Sequence, residues 1–224
     1  MPDSDDDALP FSSSEDLPRD IPAPKNPIPF TLVNSRPMEG TPFVAPYVPC
    51  HVDVATAALR FAHVGVEDVL IDLGCGDARI LIAALTTPPS PHHCIGIELD
   101  PHLASHIRSS HAALISSSRL QILEADMFGV DMAELGATVA VVYLLPAGLE
   151  KLKPALRAWL EGDAARRRVV TITYSVPGWE PRKGVEVKVV AGVHGKGTQT
   201  GTTGMGGAGG VAQWLFYYDA GSVR

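Results

Sequence analysis

Hydrophobic and polar positions change rhythm several times along this 224-residue chain, and each rhythm predicts an element. Val54, Ala57, Ala58, Phe61 and Ala62 recur at the spacing of one helix face, which predicts an amphipathic helix over Val52 to Val64, ended by Gly65. Val69-Leu-Ile-Asp-Leu73 is an apolar run of buried-strand length. It breaks at Gly74-Cys75-Gly76, and an apolar helical stretch, Ile80 to Leu85, follows at once. A Pro/Thr/Ser connector, 86 to 91, leads into a second apolar strand, Cys94 to Asp100, with Glu98 at its end. Asp100 then reads as an N-cap with Pro101 at the first helical position, launching a helix through about Ala113. Leu120 to Met127 predicts a third strand, and the near-continuous apolar run Ala137 to Leu145 suits a central parallel strand covered on both faces. A helix bent by Pro154 follows from about Ala147 to Leu160, then a fifth strand, Val169 to Tyr174. The Pro/Gly turn Ser175 to Pro181 presents an exposed-looking Trp179.

The chain closes differently. Val185 to Val190 alternates apolar positions with Glu186 and Lys188, so one face is wet, and Val211 to Tyr218 is aromatic-rich. Between them residues 195–210 hold eight glycines without periodicity, a floppy loop joining a terminal antiparallel pair. At the other end, residues 1–40 are rich in Asp, Ser and Pro, a composition that cannot offset its ordering entropy by burial, and they read as a disordered tail. Thr41 to Pro49 is apolar and aromatic, held extended by its prolines, and is expected to fold over a ligand pocket with Tyr47 as the contact. The folded domain is therefore placed at residues 41–224.

Composition narrows the function. The net charge is −7, but the first twenty residues hold seven acids against Arg19 alone, so the rest is near neutral and argues against a nucleic-acid partner. Arg166-Arg167-Arg168 reads as a solvated strand start, and His92-His93 as part of a solvated connector. Cys50, Cys75 and Cys94 have neither a metal-ligand spacing nor an even count, which suggests a reducing compartment and no structural metal. No apolar run approaches eighteen residues, and an acidic N-terminus suits neither a signal nor a transit peptide, so a cytoplasmic location is expected.

The chemistry concentrates at the first glycine turn. A strand turning through glycines into a helix sets backbone N–H groups and the positive helix end against a ligand, as nucleotide sites do. The dinucleotide fingerprint needs a third glycine where this chain has Arg79. What remains is Asp72 ending the strand, then Gly74-Cys75-Gly76, then Asp77. This resembles motif I of class I S-adenosylmethionine (SAM) methyltransferases, whose ligand carries an ammonium and a sulfonium that suit carboxylates. Glu98, 26 residues past Asp72, is where a doubly wound fold presents an acid to a ribose, with Leu99 beside it. In SAM enzymes an acid and an apolar residue past the third strand meet the adenine, and Asp126 and Met127 stand there. Tyr143 ends the fourth strand at the crevice, where the Asn/Asp-Pro-Pro-aromatic sequence of amide and adenine methylating families is missing.

Taken together, Thr-Pro-Phe-Val and Pro-Tyr-Val-Pro before the first helix, Asp72 to Ile80, Gly96 to Pro101, and Tyr174-Ser-Val-Pro-Gly-Trp-Glu-Pro181 resemble the small lysine methyltransferases of the adenine nucleotide translocase and the ATP synthase c-subunit. The resemblance implies a seven-stranded Rossmann-like α/β fold with a terminal antiparallel pair, SAM as cofactor, and a protein substrate carrying the target lysine. Family members often carry Gly where Ala78 stands, and known animal members are mitochondrial. On this reading Tyr47, Asp72, Gly74, Cys75, Gly76, Asp77, Glu98, Leu99, Asp126, Met127 and Tyr143 line the cofactor site, and Tyr143 and Trp179 form the substrate slot. A small-molecule N- or O-methyltransferase and a non-catalytic SAM-binding partner are the alternatives.

Overall fold

The computed structural model of the chain describes residues 48–189 and 211–223. In chain order the elements are α1 (Val52–Phe61), β1 (Val69–Leu73), α2 (Arg79–Thr86), β2 (His93–Glu98), α3 (Pro101–Ser110), α4 (Ala112–Ser116), β3 (Leu120–Glu124), β4 (Val139–Val142), α5 (Pro146–Gly162), β5 (Arg168–Ile172), β6 (Lys183–Val189) and β7 (Val211–Tyr218). The seven strands form one sheet in the order β3-β2-β1-β4-β5-β7-β6. Strands β1 to β5 run parallel, while β7 lies antiparallel to both β5 and β6.

The period-two alternation of each strand divides the core in two. Leu70, Val141, Val170, Ile172 and Leu215 face one layer, into which α1 and α2 send Val54, Ala58, Phe61, Ile80 and Leu81. Ile71, Leu73, Ala140, Val142 and Val169 face the other, closed by Leu149, Leu152, Leu156 and Trp159 of α5. Central strands buried on both faces lose the alternating pattern, which is why β1 and β4 read as continuous apolar runs. The edge strand β6 keeps it, with Glu186 and Lys188 exposed.

Several boundaries differ from the sequence reading for identifiable reasons. The first helix stops at its C-cap Ala62, because His63 takes a left-handed φ of 51°; Gly65 instead donates its N–H to Asp68. The helix begun by Asp100 and Pro101 ends at Ser110, and a separate short helix resumes after His111. β3 ends at Glu124, so Asp126 and Met127 lie past its tip. The fifth helix runs through Pro154, which has no N–H to give the Glu150 carbonyl.

Two of the three consecutive arginines are structural rather than solvated. Arg168 donates to Asp68 at 2.6 Å and to the carbonyls of Ala62 and His63, fastening the end of α1 to the start of β5. Burial pushes the Asp68 carboxyl upward, but bonds from Arg168, the Gly65 amide and Thr138 outweigh that and hold it below its usual range. Arg167 caps the carbonyl of Trp159 at 2.7 Å. His93, expected in a solvated connector, opens β2 and places Nδ1 2.7 Å from the Ser118 carbonyl.

Candidate active site

In the parallel part of the sheet every strand points its carboxyl end the same way, and the turn after β1 is built at that edge. Gly74 and Gly76 take φ of 85° and 58°, backbone that glycine adopts without strain. The amides of Gly74 and Cys75 both donate to the Ile97 carbonyl at 2.9 Å, which lashes the turn to the neighbouring strand. The Gly76 amide donates to Glu98 at 2.8 Å, and the Arg79 amide to Asp77 at 3.2 Å. These donors are consumed inside the protein, so the turn does not form the ring of open N–H groups that a pyrophosphate needs. Gly96 allows the close approach: a Cβ there would stand 2.7 Å from Cys75 Sγ and 2.9 Å from Ile122 Cδ1.

The acids around this turn are in three different states. Asp72 is 2% exposed, and its Oδ2 is buried with no hydrogen-bond partner among the described residues. Burial, reinforced by the charges of Glu98 and Asp77, pushes its carboxyl up to about 8. A buried carboxylate oxygen with no donor is costly by itself and is relieved by a cation. Glu98 is 8% exposed, with Oε2 accepting from Gly76 and Oε1 from the Asp100 amide at 2.9 Å. Burial raises its pKa, and those two amides with that of Leu99 draw it back. Each oxygen keeps a further acceptor position, as a bidentate diol contact requires. Asp77 is already paired: Arg79 meets both its oxygens, with Nη2 to Oδ2 at 2.5 Å, and Arg79 also donates to the Cys50 carbonyl at 2.7 Å. The pair braces the segment before α1.

The remaining sequence candidates divide. Met127 is half-buried and lies over the turn, its methyl 3.3 Å from where a Gly74 Cβ would stand. Asp126 is exposed and accepts from the Phe128 amide at 3.0 Å, while Leu99 is half-buried between Glu98 and Asp100. Tyr143 follows β4 on the same sheet face as Val141, the residue in register with Asp72. Tyr47 falls outside the described residues, as do 1–40, 41–46 and the glycine-rich 195–210. All three cysteines are buried and free, and burial pushes Cys50 and Cys94 up to about 12 and Cys75 well above its usual value, so none is a thiolate nucleophile.

Trp179 corrects the sequence reading. It is 7% exposed, and its ring packs edge-on against the fully buried Tyr218 with centroids 5.7 Å apart. The Tyr218 hydroxyl accepts from the Val176 amide at 2.9 Å, folding the Pro/Gly turn back onto the core rather than out over the crevice. Trp179 is a core residue on the α5 face and not the wall of an open slot. Sequence reasoning missed Gln213 and Thr173: the Gln213 amide nitrogen donates to Tyr143 Oη at 3.1 Å and to Thr173 Oγ1 at 3.2 Å. The available signal was a single polar residue at an inward position of the apolar strand β7.

A doubly wound parallel sheet with this strand order, a reversed seventh strand, and a glycine turn ringed by acids is the architecture of the class I SAM-dependent methyltransferases. The donor set suits that cofactor, since the orphaned buried Asp72 oxygen calls for a positive charge and the self-satisfied turn disfavours a phosphate. Within the class, residues 72–183 match the family described as the ANTKMT methyltransferase domain, and the chain belongs to that family of enzymes. It is 32% identical over 143 residues to a protein-lysine N-methyltransferase of Saccharolobus islandicus (strain REY15A), covering 64% of this chain and 85% of that one. It is 28% identical over 151 residues to an ATP synthase c-subunit lysine N-methyltransferase of Xenopus laevis, 63% of this chain and 62% of the relative's length. An RNA methyltransferase of Salinibacter ruber, solved with S-adenosyl-L-homocysteine, superimposes with TM-score 0.56 at 28% identity over 76% of this chain and 92% of that one. No helix among the described residues is long and apolar enough to cross a membrane.

Proposed function

We propose that this enzyme is a protein-lysine N-methyltransferase. The observation that carries the reading is the change of chemistry along the strand tips: acids at β1 and β2, then hydroxyl and amide groups at β4, β5 and β7, with no carboxylate among the described residues bonded to Tyr143, Gln213 or Thr173. The lysine specificity named for the Saccharolobus and Xenopus relatives supports it.

When bound, SAM supplies an electrophilic methyl group on a sulfonium, which departs with the carbon–sulfur electron pair as a nucleophile bonds the carbon. Asp72 would hold the cationic end of the cofactor, Glu98 its ribose hydroxyls, and Met127 with Asp126 its purine. The enzyme's other task is to present the amine in its reactive form. A free lysine with pKa about 10.4 is neutral only about one part in a thousand near pH 7.4, and ammonium has no lone pair to give. A neutral, partly desolvated rim at Tyr143 favours the free amine, where a carboxylate would hold the ammonium. Positioning nitrogen about 3 Å from the methyl carbon, in line with sulfur, completes the requirement.

The near-neutral body of the chain supports a protein rather than a nucleic-acid substrate, and three free thiols suit a reducing compartment such as the cytoplasm. The test is transfer from methyl-labelled SAM into a lysate lacking the enzyme. Label in protease-sensitive bands, recovered as N-methyl-lysine, is expected. Nuclease-sensitive label would instead assign an RNA substrate, low-mass label a small molecule, and no label a non-catalytic binder.

A further inference from the structure

Tyr143, Thr173 and Gln213 come from three separate strands and meet through one side-chain amide. Gln213 lies on β7 opposite Val187 of β6, on the sheet face that also carries Leu215, Tyr217 and Tyr143. Thr173 reaches the same place only by breaking a rule. Alternation along β5 sends Val170 and Ile172 to this face, so residue 173 belongs on the other one, with Val169. Instead Thr173 takes φ of 72°, a strained conformation for a β-branched residue, and its hydroxyl turns to Gln213. Backbone strain of this kind, of order 1–3 kcal/mol, persists where surrounding structure enforces it and concentrates at functional sites. With its nitrogen engaged on both hydroxyls, the Gln213 carbonyl oxygen Oε1 is buried and has no donor among the described residues. An unpaired buried acceptor costs about 1–3 kcal/mol, which a donor supplied by a ligand would relieve.

The chemistry of the transfer says what that ligand brings. A neutral primary amine has one lone pair and two N–H groups. With the lone pair aimed at the methyl carbon, both N–H groups point back into the site and need acceptors that carry no full charge. We propose that Gln213 Oε1 and Tyr143 Oη are those acceptors, and that Gln213, braced by Thr173, orients the lone pair of the uncharged amine. This deepens the lysine reading above and rests on it. Among the described residues Gln213 is bonded to no charged group, and its cross-strand neighbour Val187 is apolar, so nothing described there competes for the amine.

Two substitutions separate this role from a structural one. Gln213→Leu removes the acceptor, and Gln213→Glu keeps the shape but adds a charge that binds ammonium. The readout is the time course of un-, mono- and dimethylated lysine, by mass spectrometry, on the lysate polypeptide that the wild type labels. Gln213→Leu is expected to slow the first methyl transfer about tenfold or more, with an unshifted pH profile and progressively less effect on later methylations, whose amines carry fewer N–H groups. Gln213→Glu is expected to move the rising limb of the pH profile alkaline by about one unit, since an adjacent opposite charge favours the protonated amine. In protein saturated with S-adenosylhomocysteine, Gln213→Glu should bind n-butylamine at pH 7 about tenfold more tightly than wild type does. SAM affinity should stay within about twofold in both variants, because the acids that hold it are untouched. Equal losses at every methylation step, an unshifted profile for Gln213→Glu, or equal n-butylamine affinity overturns the proposal while leaving the lysine reading intact. If the wild type places no methyl on lysine, the lysine reading falls, and this proposal with it.

Discussion

The two halves of the sheet present opposite chemistry from the same edge. The tips of β1 and β2 carry Asp72 and Glu98, both under 10% exposed and both raised in pKa. The tips of β4, β5 and β7 carry Tyr143, Thr173 and Gln213, joined without a formal charge. Burying acids side by side destabilises a protein, and burying a neutral acceptor costs less, so the arrangement makes sense only if the two halves receive different guests. On the proposed reading one guest is a cation that neutralises the acids. The other must arrive uncharged to react, and a carboxylate in its half would trap it as ammonium.

The largest effect that sharpens this contrast is expected in the acid half. Asp72→Ala removes the carboxylate proposed to face the cationic end of SAM; truncating one partner of a buried charge pair costs about 2–5 kcal/mol, so SAM affinity should fall about a hundredfold or more by calorimetry. Glu98→Ala removes the proposed two-point contact to the ribose, worth roughly 1.5–3 kcal/mol, and should weaken SAM about ten- to a hundredfold. If either variant binds SAM as wild type does, the division into an acidic cofactor half and a neutral substrate half is wrong.

A smaller effect, in pH, tests the same half without mutation. The Asp72 carboxyl lies near 8 in the folded protein against 3.8 for an unperturbed one. Its contribution to stability is therefore fully present below the ordinary carboxylate pKa and is lost as pH rises through about 8. A cationic ligand favours the ionised form, so binding near neutral pH must expel the proton that Asp72 holds. At pH 7 roughly three-quarters of a proton should leave per SAM bound, after allowing for uptake by the ligand's own α-amine. The corresponding affinity change is about two- to threefold weaker at pH 7 than at pH 8. Calorimetry in two buffers of different ionisation heat measures the release directly, and a value near zero would mean that Asp72 sheds no proton when SAM binds.

The sequence exposed these halves unequally. Asp72, Gly74, Gly76 and Glu98 were legible because strand tip, turn and spacing are local properties, and the parallel register Asp72↔Gly96 follows once both strands are found. Trp179 was misread because a Pro/Gly turn looks solvated until Tyr218, 39 residues later in the chain, supplies the surface that buries it. Gln213 and Thr173 were invisible for a related reason. Their partnership depends on β7 inserting antiparallel between β5 and β6, and on a left-handed φ at a threonine that no propensity favours. Contacts made across long sequence separations by irregular backbone leave the weakest trace in composition or period.

Asp77 supplies the smallest expected effect, and the sharpest limit on the acid half. The sequence placed it beside Asp72 as a second carboxylate for the cofactor, yet Arg79 occupies both of its oxygens. Pairing with Arg79 leaves Asp77 a weaker field toward a further cation than unpaired Asp72 has, and the Asp77 side chain is only 13% exposed, so its pair with Arg79 is held rather than fluctuating. Asp77→Asn should therefore change SAM affinity by less than about twofold while lowering stability by roughly 0.5–1 kcal/mol, since Arg79 loses a partner but keeps the Cys50 carbonyl. Thermal melts and SAM titrations on the same preparation measure both. A loss of affinity as large as that of Asp72→Ala would mean that Arg79 swings away when SAM binds, and that the acid half works as a pair of carboxylates instead of one buried acid beside a braced turn.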